Sequence, residues 1–253
     1  MDKIKIYRTI FKKEIIAEFA IPKKKTNKVV IICGGLPSSP SKKERIELFC
    51  KEGFWVFAPR YRGTWESHGE FLKKSPHIDI IDVIDGLSSF VELWSGKRYS
   101  IKNPEVYLVG ISFGGPAAIL NSQDRRVKKV LAISPVIDWT NDSKEEPMGK
   151  LGKFVKVAFG RAYNFSDKNW AKLMKGKFYN PITELEKVDG NKIWLFHAKD
   201  DLTVLPKPSI KFAKLTGCKL TLVAKGGHGI AKNVLQNKKS MRRIVNFLKF
   251  KPK

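Results

Sequence analysis

A chain of 253 residues with 42% hydrophobic content can build the core of one α/β domain, so a disordered polymer is excluded. Its 49 Lys and Arg against 24 Asp and Glu leave a net charge of +25, which raises nucleic acid, an anionic membrane or anionic substrates as partners. The lysines are spread over the whole chain, and no zinc-finger spacing, RNP box or basic region with heptads is present, so a solvated basic surface is preferred over nucleic acid.

Residues 3–7 and 14–21 read as two strands of a hairpin, closed by Pro22 and the lysines at 23–25. Residues 29–33 are a short apolar run ending at glycines, the pattern of a buried strand, and a Gly-Gly-Leu-Pro loop follows at 34–37. Residues 41–51 have helical spacing and stop before Gly53, and 54–58 form the next strand. A long loop spans 60–71. Ile80, Ile84, Leu87, Val91 and Trp94 recur at three- and four-residue steps, which predicts one amphipathic helix.

Residues 105–120 organise the chain. They read as a buried strand, the turn Gly110-Ile111-Ser112-Phe113-Gly114, and a small-residue helix. A strand follows at 127–133. Strand–helix alternation then stops from about 138 to 184, where the chain is rich in lysine and aromatic residues, and this reads as a small helical cap inserted into a single domain of residues 1–253. Alternation resumes with a strand at 193–196, a helix at 208–215, a strand at 220–224 and a terminal helix at 230–250. Repeated strand–helix units predict a mainly parallel sheet with helices on both faces, whose function lies at the carboxyl ends of the strands.

Gly-x-Ser-x-Gly alone is a weak signal, and a tight turn with an incidental serine is the plainer alternative. A serine hydroxyl needs a base beside it, usually a histidine oriented by a carboxylate. His228 lies in a glycine-rich turn directly after the last strand, whereas His197 ends a strand and reads as a turn-shaping residue. His68 and His77 fall in loops. Three aspartates lie past strand ends: Asp201, its neighbour Asp200, and Asp138. Each can equally be a turn former.

The order Ser112, Asp201, His228 and the motifs around it make the chain from about 28 to 250 resemble the α/β-hydrolase superfamily of serine hydrolases. Gly110-Ile111-Ser112-Phe113-Gly114-Gly115 resembles its nucleophile elbow, and the run from His197 to Val204 resembles its acid loop and selects Asp201. Gly227-His228-Gly229 resembles its histidine turn, and Gly35-Leu36-Pro37 its oxyanion loop, with Gly34 where a histidine is usual. The loop at 61–71 resembles that of esterase-like and prolyl-oligopeptidase-like members. The resemblance implies an α/β-hydrolase fold, a Ser112–Asp201–His228 triad, and an oxyanion hole made by the backbone amides of Phe113 and Leu36. It implies no cofactor and no metal, and the sequence contains neither His-Glu-x-x-His nor Cys-x-x-Cys.

Carboxylic ester hydrolysis is the expected activity, with small-peptide hydrolysis as the alternative and Arg60, Tyr61 and Arg62 as substrate contacts. A non-catalytic hydrolase-like protein that binds anionic surfaces is the third reading. It draws on the basic terminal helix, which bears Lys232, Lys238, Lys239, Arg242, Arg243, Lys249, Lys251 and Lys253 and would give peripheral membrane contact. A docked helix with a solvated basic face explains the same residues. Cys33, Cys50 and Cys218 are odd in number and widely spaced, which suggests no disulfide framework, and Cys33 and Cys218 read as buried thiols, which fits a reducing compartment. The N-terminus lacks an apolar signal segment, so a cytoplasmic location is expected.

Overall fold

The computed structural model describes residues 3–249. Strands β1 (Ile6–Phe11), β2 (Ile15–Ala20), β3 (Lys28–Cys33), β4 (Trp55–Pro59), β7 (Glu105–Ile111), β8 (Val127–Ile133), β9 (Ile193–Ala198) and β10 (Lys219–Val223) form one eight-stranded sheet in the order β1-β2-β4-β3-β7-β8-β9-β10. β1 and β2 pair antiparallel, as do β2 and β4, and all later pairs are parallel. This is the mainly parallel sheet of an α/β-hydrolase fold.

Helices cover both faces because the central strands are apolar on both sides. One face packs under α2 (Pro76–Gly86), α3 (Gly114–Ile119) and α6 (Pro206–Thr216), through Ile80, Val83, Ala117 and Phe212. The other packs under α1 (Lys43–Lys51), α7 (Ile230–Gln236) and α8 (Lys238–Lys249), through Ile46, Phe49, Val234 and Ile244.

Three expectations need correction. The first strand runs to Phe11, and Lys12 and Lys13, both at positive φ, make the turn into β2. The helix over Ile80 stops at Gly86, so Val91 and Trp94 are not on it. Phe90–Val91 (β5) and Arg98–Tyr99 (β6) form a small hairpin, which Phe90 anchors in a cluster with Phe19 and Phe57. The Glu92 carboxylate accepts from Trp94 N and Ser95 N at its tip, leaving the Trp94 ring in solvent. The apolar spacing from Ile84 to Trp94 thus belongs to two structures that happen to be in phase.

The third correction concerns the terminal helix. Asn237 adopts an extended conformation that ends α7, and its side chain accepts from Ser240 N to start α8. The apolar face of α8 is buried through Met241, Ile244, Val245 and Leu248, so the basic face is the solvated side of a docked helix. Phe250, Lys251 and Lys253 lie outside the described residues. No helix among the described residues is long and apolar enough to cross a membrane.

Between β8 and β9 the chain forms α4 (Met148–Phe159) and α5 (Asp167–Met174), with 3-10 turns at Gly160–Ala162, Pro181–Thr183, Leu185–Lys187 and Gly190–Lys192. Backbone hydrogen bonds tie it to the long loop after β4. Trp65 N donates to Ala162 O, Asn164 N to Gly63 O, and Phe71 N to Asn164 O.

Candidate active site

Ser112 is the first residue beyond β7 and has φ of 53°, a left-handed conformation that costs energy for a residue with a side chain. Close packing holds it there. A Cβ at Gly110 would lie 2.5 Å from Gly114 O, and one at Gly114 would overlap the carbonyl of Cys33. Glycine at both positions lets α3 start directly against the sheet, which forces the strand–turn–helix reversal and leaves the serine half-buried at its tip.

Ser112 Oγ lies 2.9 Å from His228 Nε2, and His228 Nδ1 lies 2.9 Å from Asp201 Oδ2. These residues follow β7, β10 and β9, so three parallel strands end at one point. The side chain of Asp201 is fully buried. Burial pushes its carboxyl up, but hydrogen bonds from His197, His228 and Val204 N outweigh that and hold it well below the usual carboxylate range. An ionised Asp201 accepts only, so His228 Nδ1 is the donor and Nε2 accepts from the serine hydroxyl.

The three aspartates differ in their partners, and Asp201 is the one bonded to His228. Asp200, one residue from Asp201, accepts from Gly226 N and Gly227 N and so ties down the turn that carries His228. Asp138 accepts from Thr140 N and its hydroxyl, as a turn former does. His197 is fully buried. Its Nε2 donates to Val204 O and its Nδ1 accepts from Ser209 Oγ, which closes the loop around Asp201. The backbone of His68 bonds Gly63 and Glu14, and the ring of His77 bonds Ser75.

The loop after β3 packs against the serine turn. A Cβ at Gly35 would lie 3.4 Å from Ile111 O and 3.6 Å from Ser112 Cβ, which is ordinary contact distance, so the loop backbone runs directly beside the turn. Leu36, Ser112 and Phe113 line one open cavity. Phe113 itself is fixed from two sides. Its ring lies among Tyr61, Phe71, Trp139 and Tyr179, and its carbonyl accepts from Tyr179 Oη at 2.7 Å. Tyr179 is one of the aromatic residues of the 138–184 segment, and nothing in the local sequence connects it to position 113.

The floor of the cavity is apolar, made by Val136, Trp139, Met148 and Leu151. Its rim carries Asp138, Asp142 and Glu146, and no Lys or Arg lines it. This is a local reversal of sign on a chain of net charge +25. Burial raises the Glu146 carboxyl above its ordinary value, and Asp201 adds to that while His228 opposes it. Glu146 is therefore within electrostatic reach of the histidine, a relation the sequence does not reveal.

None of Arg60, Tyr61 and Arg62 lines this cavity. Arg62 is held by carboxylates: Nη1 binds Asp79, Nε binds Glu14, Nη2 lies 2.7 Å from Asp82, and its backbone N donates to Asp79 Oδ2 at 2.9 Å. Its charge is thereby spent inside the protein. Tyr61 is buried, with its hydroxyl donating to Gly34 O at 3.3 Å, so it supports the loop after β3. Arg60 lines a second cavity on the other side of Leu36. The two arginines are turned instead toward Glu14, Glu18, Asp79 and Asp82, which come from distant segments.

Burial pushes the Cys33 thiol up, so it offers no competing nucleophile. No group of three metal-ligating side chains occurs among the described residues.

A model of the prolyl oligopeptidase family matches residues 40–251. No curated protein sequence matches the chain significantly. Among solved structures, a Pyrococcus horikoshii acylaminoacyl peptidase is similar with a TM-score of 0.70 and 18% identity. The match covers 100% of this chain and 43% of the peptidase, so the chain spans less than half of that protein. A Pyrococcus furiosus esterase is similar with a TM-score of 0.70 and 18% identity over 98% of this chain and 91% of its own. An alpha/beta hydrolase from a Penicillium species has a TM-score of 0.69 and 14% identity, covering 98% of both chains.

Proposed function

The chain belongs to the prolyl oligopeptidase family, and from that premise we propose that it is a serine hydrolase that cleaves carboxylic esters by acyl transfer. The observation that carries this reading is the hydrogen-bonded series Ser112–His228–Asp201, at 2.9 Å per step, opening on an apolar-floored cavity.

Ser112 Oγ attacks the carbonyl carbon while His228 Nε2 takes the hydroxyl proton. Asp201 holds the imidazole in the required tautomer and stabilises the imidazolium. Negative charge moves to the carbonyl oxygen, which the backbone N–H groups of Phe113 and Leu36 receive. Collapse of the adduct breaks the ester bond, and His228 returns its proton to the leaving alcohol. Water then repeats the sequence on the acyl-serine, with His228 as base, and frees the acid. The helical segment at 138–184 acts as a cap, supplying the floor and rim that select the acyl group.

Hydrolysis of small peptides or aminoacyl amides is the second reading, favoured by the family match. The same machinery serves both, since an amide differs in needing its leaving nitrogen protonated. A panel of 4-nitrophenyl esters beside aminoacyl-4-nitroanilides tests the pair. The proposal expects ester turnover that falls by about three orders of magnitude or more in Ser112→Ala. Turnover of the anilides alone would favour the peptidase, and equal rates in Ser112→Ala would remove the hydrolase reading.

A further inference from the structure

The second cavity, an open cleft, lies on the other side of the loop after β3 and shares Leu36 and Phe113 with the first. Aromatic rings of Trp65, Phe71 and Tyr163 wall part of it. Its charged lining consists of Lys42 and Arg60, and no carboxylate lines it.

The side chain of Arg60 is 4% exposed. Nη2 lies 3.2 Å from Glu18 Oε1, and Nε lies 3.2 Å from Glu66 Oε2 without hydrogen-bond alignment. Nη1 is buried and has no hydrogen-bond partner. A guanidinium presents five N–H groups and cannot shed its charge, so a buried N–H without an acceptor is strongly unfavourable until something supplies one. Glu18 meets Nη2 alone among these N–H groups, and its other oxygen accepts from Lys42 N at 3.3 Å.

Lys42 reaches the same place from α1's leading edge. Its stem passes over the loop after β3, where a Cβ at Gly34 would meet Lys42 Cε at 3.5 Å, and its ammonium donates to Ser39 O. Burial, with Arg45 and Arg60 nearby, pushes the Lys42 ammonium down to about 8 against the opposing pull of Glu18. Glu18 and Glu66 offset part of the charge of Arg60, and Nη1 keeps a hydrogen-bond vacancy that an entering anion would fill.

We infer that this cavity is an anion subsite that takes a carboxylate carried on an apolar body. The carboxylate meets Arg60 Nη1 and Lys42, and the body lies against the aromatic wall. This rests on the hydrolase reading only in its second half, namely that the carboxylate belongs to the substrate and lies across Leu36 from the serine.

Two arms test it. The first needs no turnover. Calorimetry of 3-phenylpropionate and its neutral amide, titrated into Ser112→Ala protein, should show the acid binding more tightly by about tenfold. Lys42→Met should erase most of that difference and Lys42→Arg should keep it. Removal of Arg60 leaves Glu18 buried without its partner and can unfold the chain, so Arg60→Lys is the milder check. Equal affinity for acid and amide, or a difference untouched by Lys42→Met, overturns the subsite.

The second arm identifies the source of the carboxylate. Mono-4-nitrophenyl esters of succinic, glutaric and adipic acid are compared with neutral 4-nitrophenyl esters of the same chain length. A half-ester preference in kcat/KM of about tenfold at one length, collapsing in Lys42→Met, makes it the substrate's own group. No preference at any length, with the acid still bound, makes it a separate carboxylic acid and overturns the substrate form. Failure of the hydrolase reading shows differently, as hydrolysis that persists in Ser112→Ala while acid binding is intact.

Discussion

The two cavities share the wall made by Leu36 and Phe113 and have opposite linings. The one that holds Ser112 has Asp138, Asp142 and Glu146 at its rim, and the other has Lys42 and Arg60. The acidic residues come from the segment between β8 and β9, and the basic ones from α1's approach and the end of β4. One thin loop, which runs beside Ile111 and Ser112, therefore separates two electrostatic environments. Leu36 and Phe113 are common ground, and the charged linings come from distant parts of the chain.

Asp201→Asn separates chemistry from these linings most sharply. Loss of the acceptor that fixes the His228 tautomer should reduce kcat by about 10³–10⁴-fold for charged and neutral esters alike. The same variant tests the electrostatics. Asp201 has a folded-state pKa below its unfolded one, so its ionised form stabilises the fold above the ordinary carboxyl range. That contribution is lost as pH falls toward the depressed folded value. The gap in melting temperature between wild type and Asp201→Asn should be widest near neutrality and close on acidification. A gap that widens in acid would reverse the assignment.

Arg62 supports the loop that forms the basic cavity without lining it. Arg62→Met leaves Asp79 buried and uncompensated, and breaking such a pair costs about 3–5 kcal/mol. For a chain of this size the melting temperature should fall by roughly 6–20 °C. Calorimetry would check it, and a change within a degree or two would mean the cluster is solvated.

Asp200 acts on the other side, through the turn that holds His228. Asp200→Ala removes two backbone hydrogen bonds and should lower kcat by roughly tenfold or less, with KM for a neutral ester little changed. A loss as large as that of Asp201→Asn would show that the two neighbours share the catalytic role.

The smallest effect is at the acidic rim. Glu146→Gln should reduce the preference for an ester with a cationic acyl group over its neutral analogue by about two- to fivefold, as befits a half-exposed charge. Direct comparison of kcat/KM values reads it, and an unchanged ratio would leave the rim without a part in selection.

The sheet and the residues that meet at Ser112 are legible in the sequence because both rest on local signals. Apolar runs mark β3, β7, β8 and β9, and Ser112 and His228 sit in turns whose glycines permit close backbone approach. The motif around His197 identifies Asp201, while the difference between Asp200 and Asp201 is one of burial and direction, set by the fold. The arginines fail as a local reading because their partners lie elsewhere: Arg62 is consumed by Glu14, Asp79 and Asp82, and Arg60 leans on Glu18. Val91 and Trp94 fit a helical period yet form a hairpin, since Phe90 gains more from the aromatic cluster around Phe19. Asn237 breaks one apparent helix in two by capping the second.

Labelling with a fluorophosphonate probe tests the central claim most directly. The account predicts one adduct per chain, on the peptide that contains Ser112, and none in Ser112→Ala. An unlabelled wild-type protein, or equal labelling of Ser112→Ala, would contradict it.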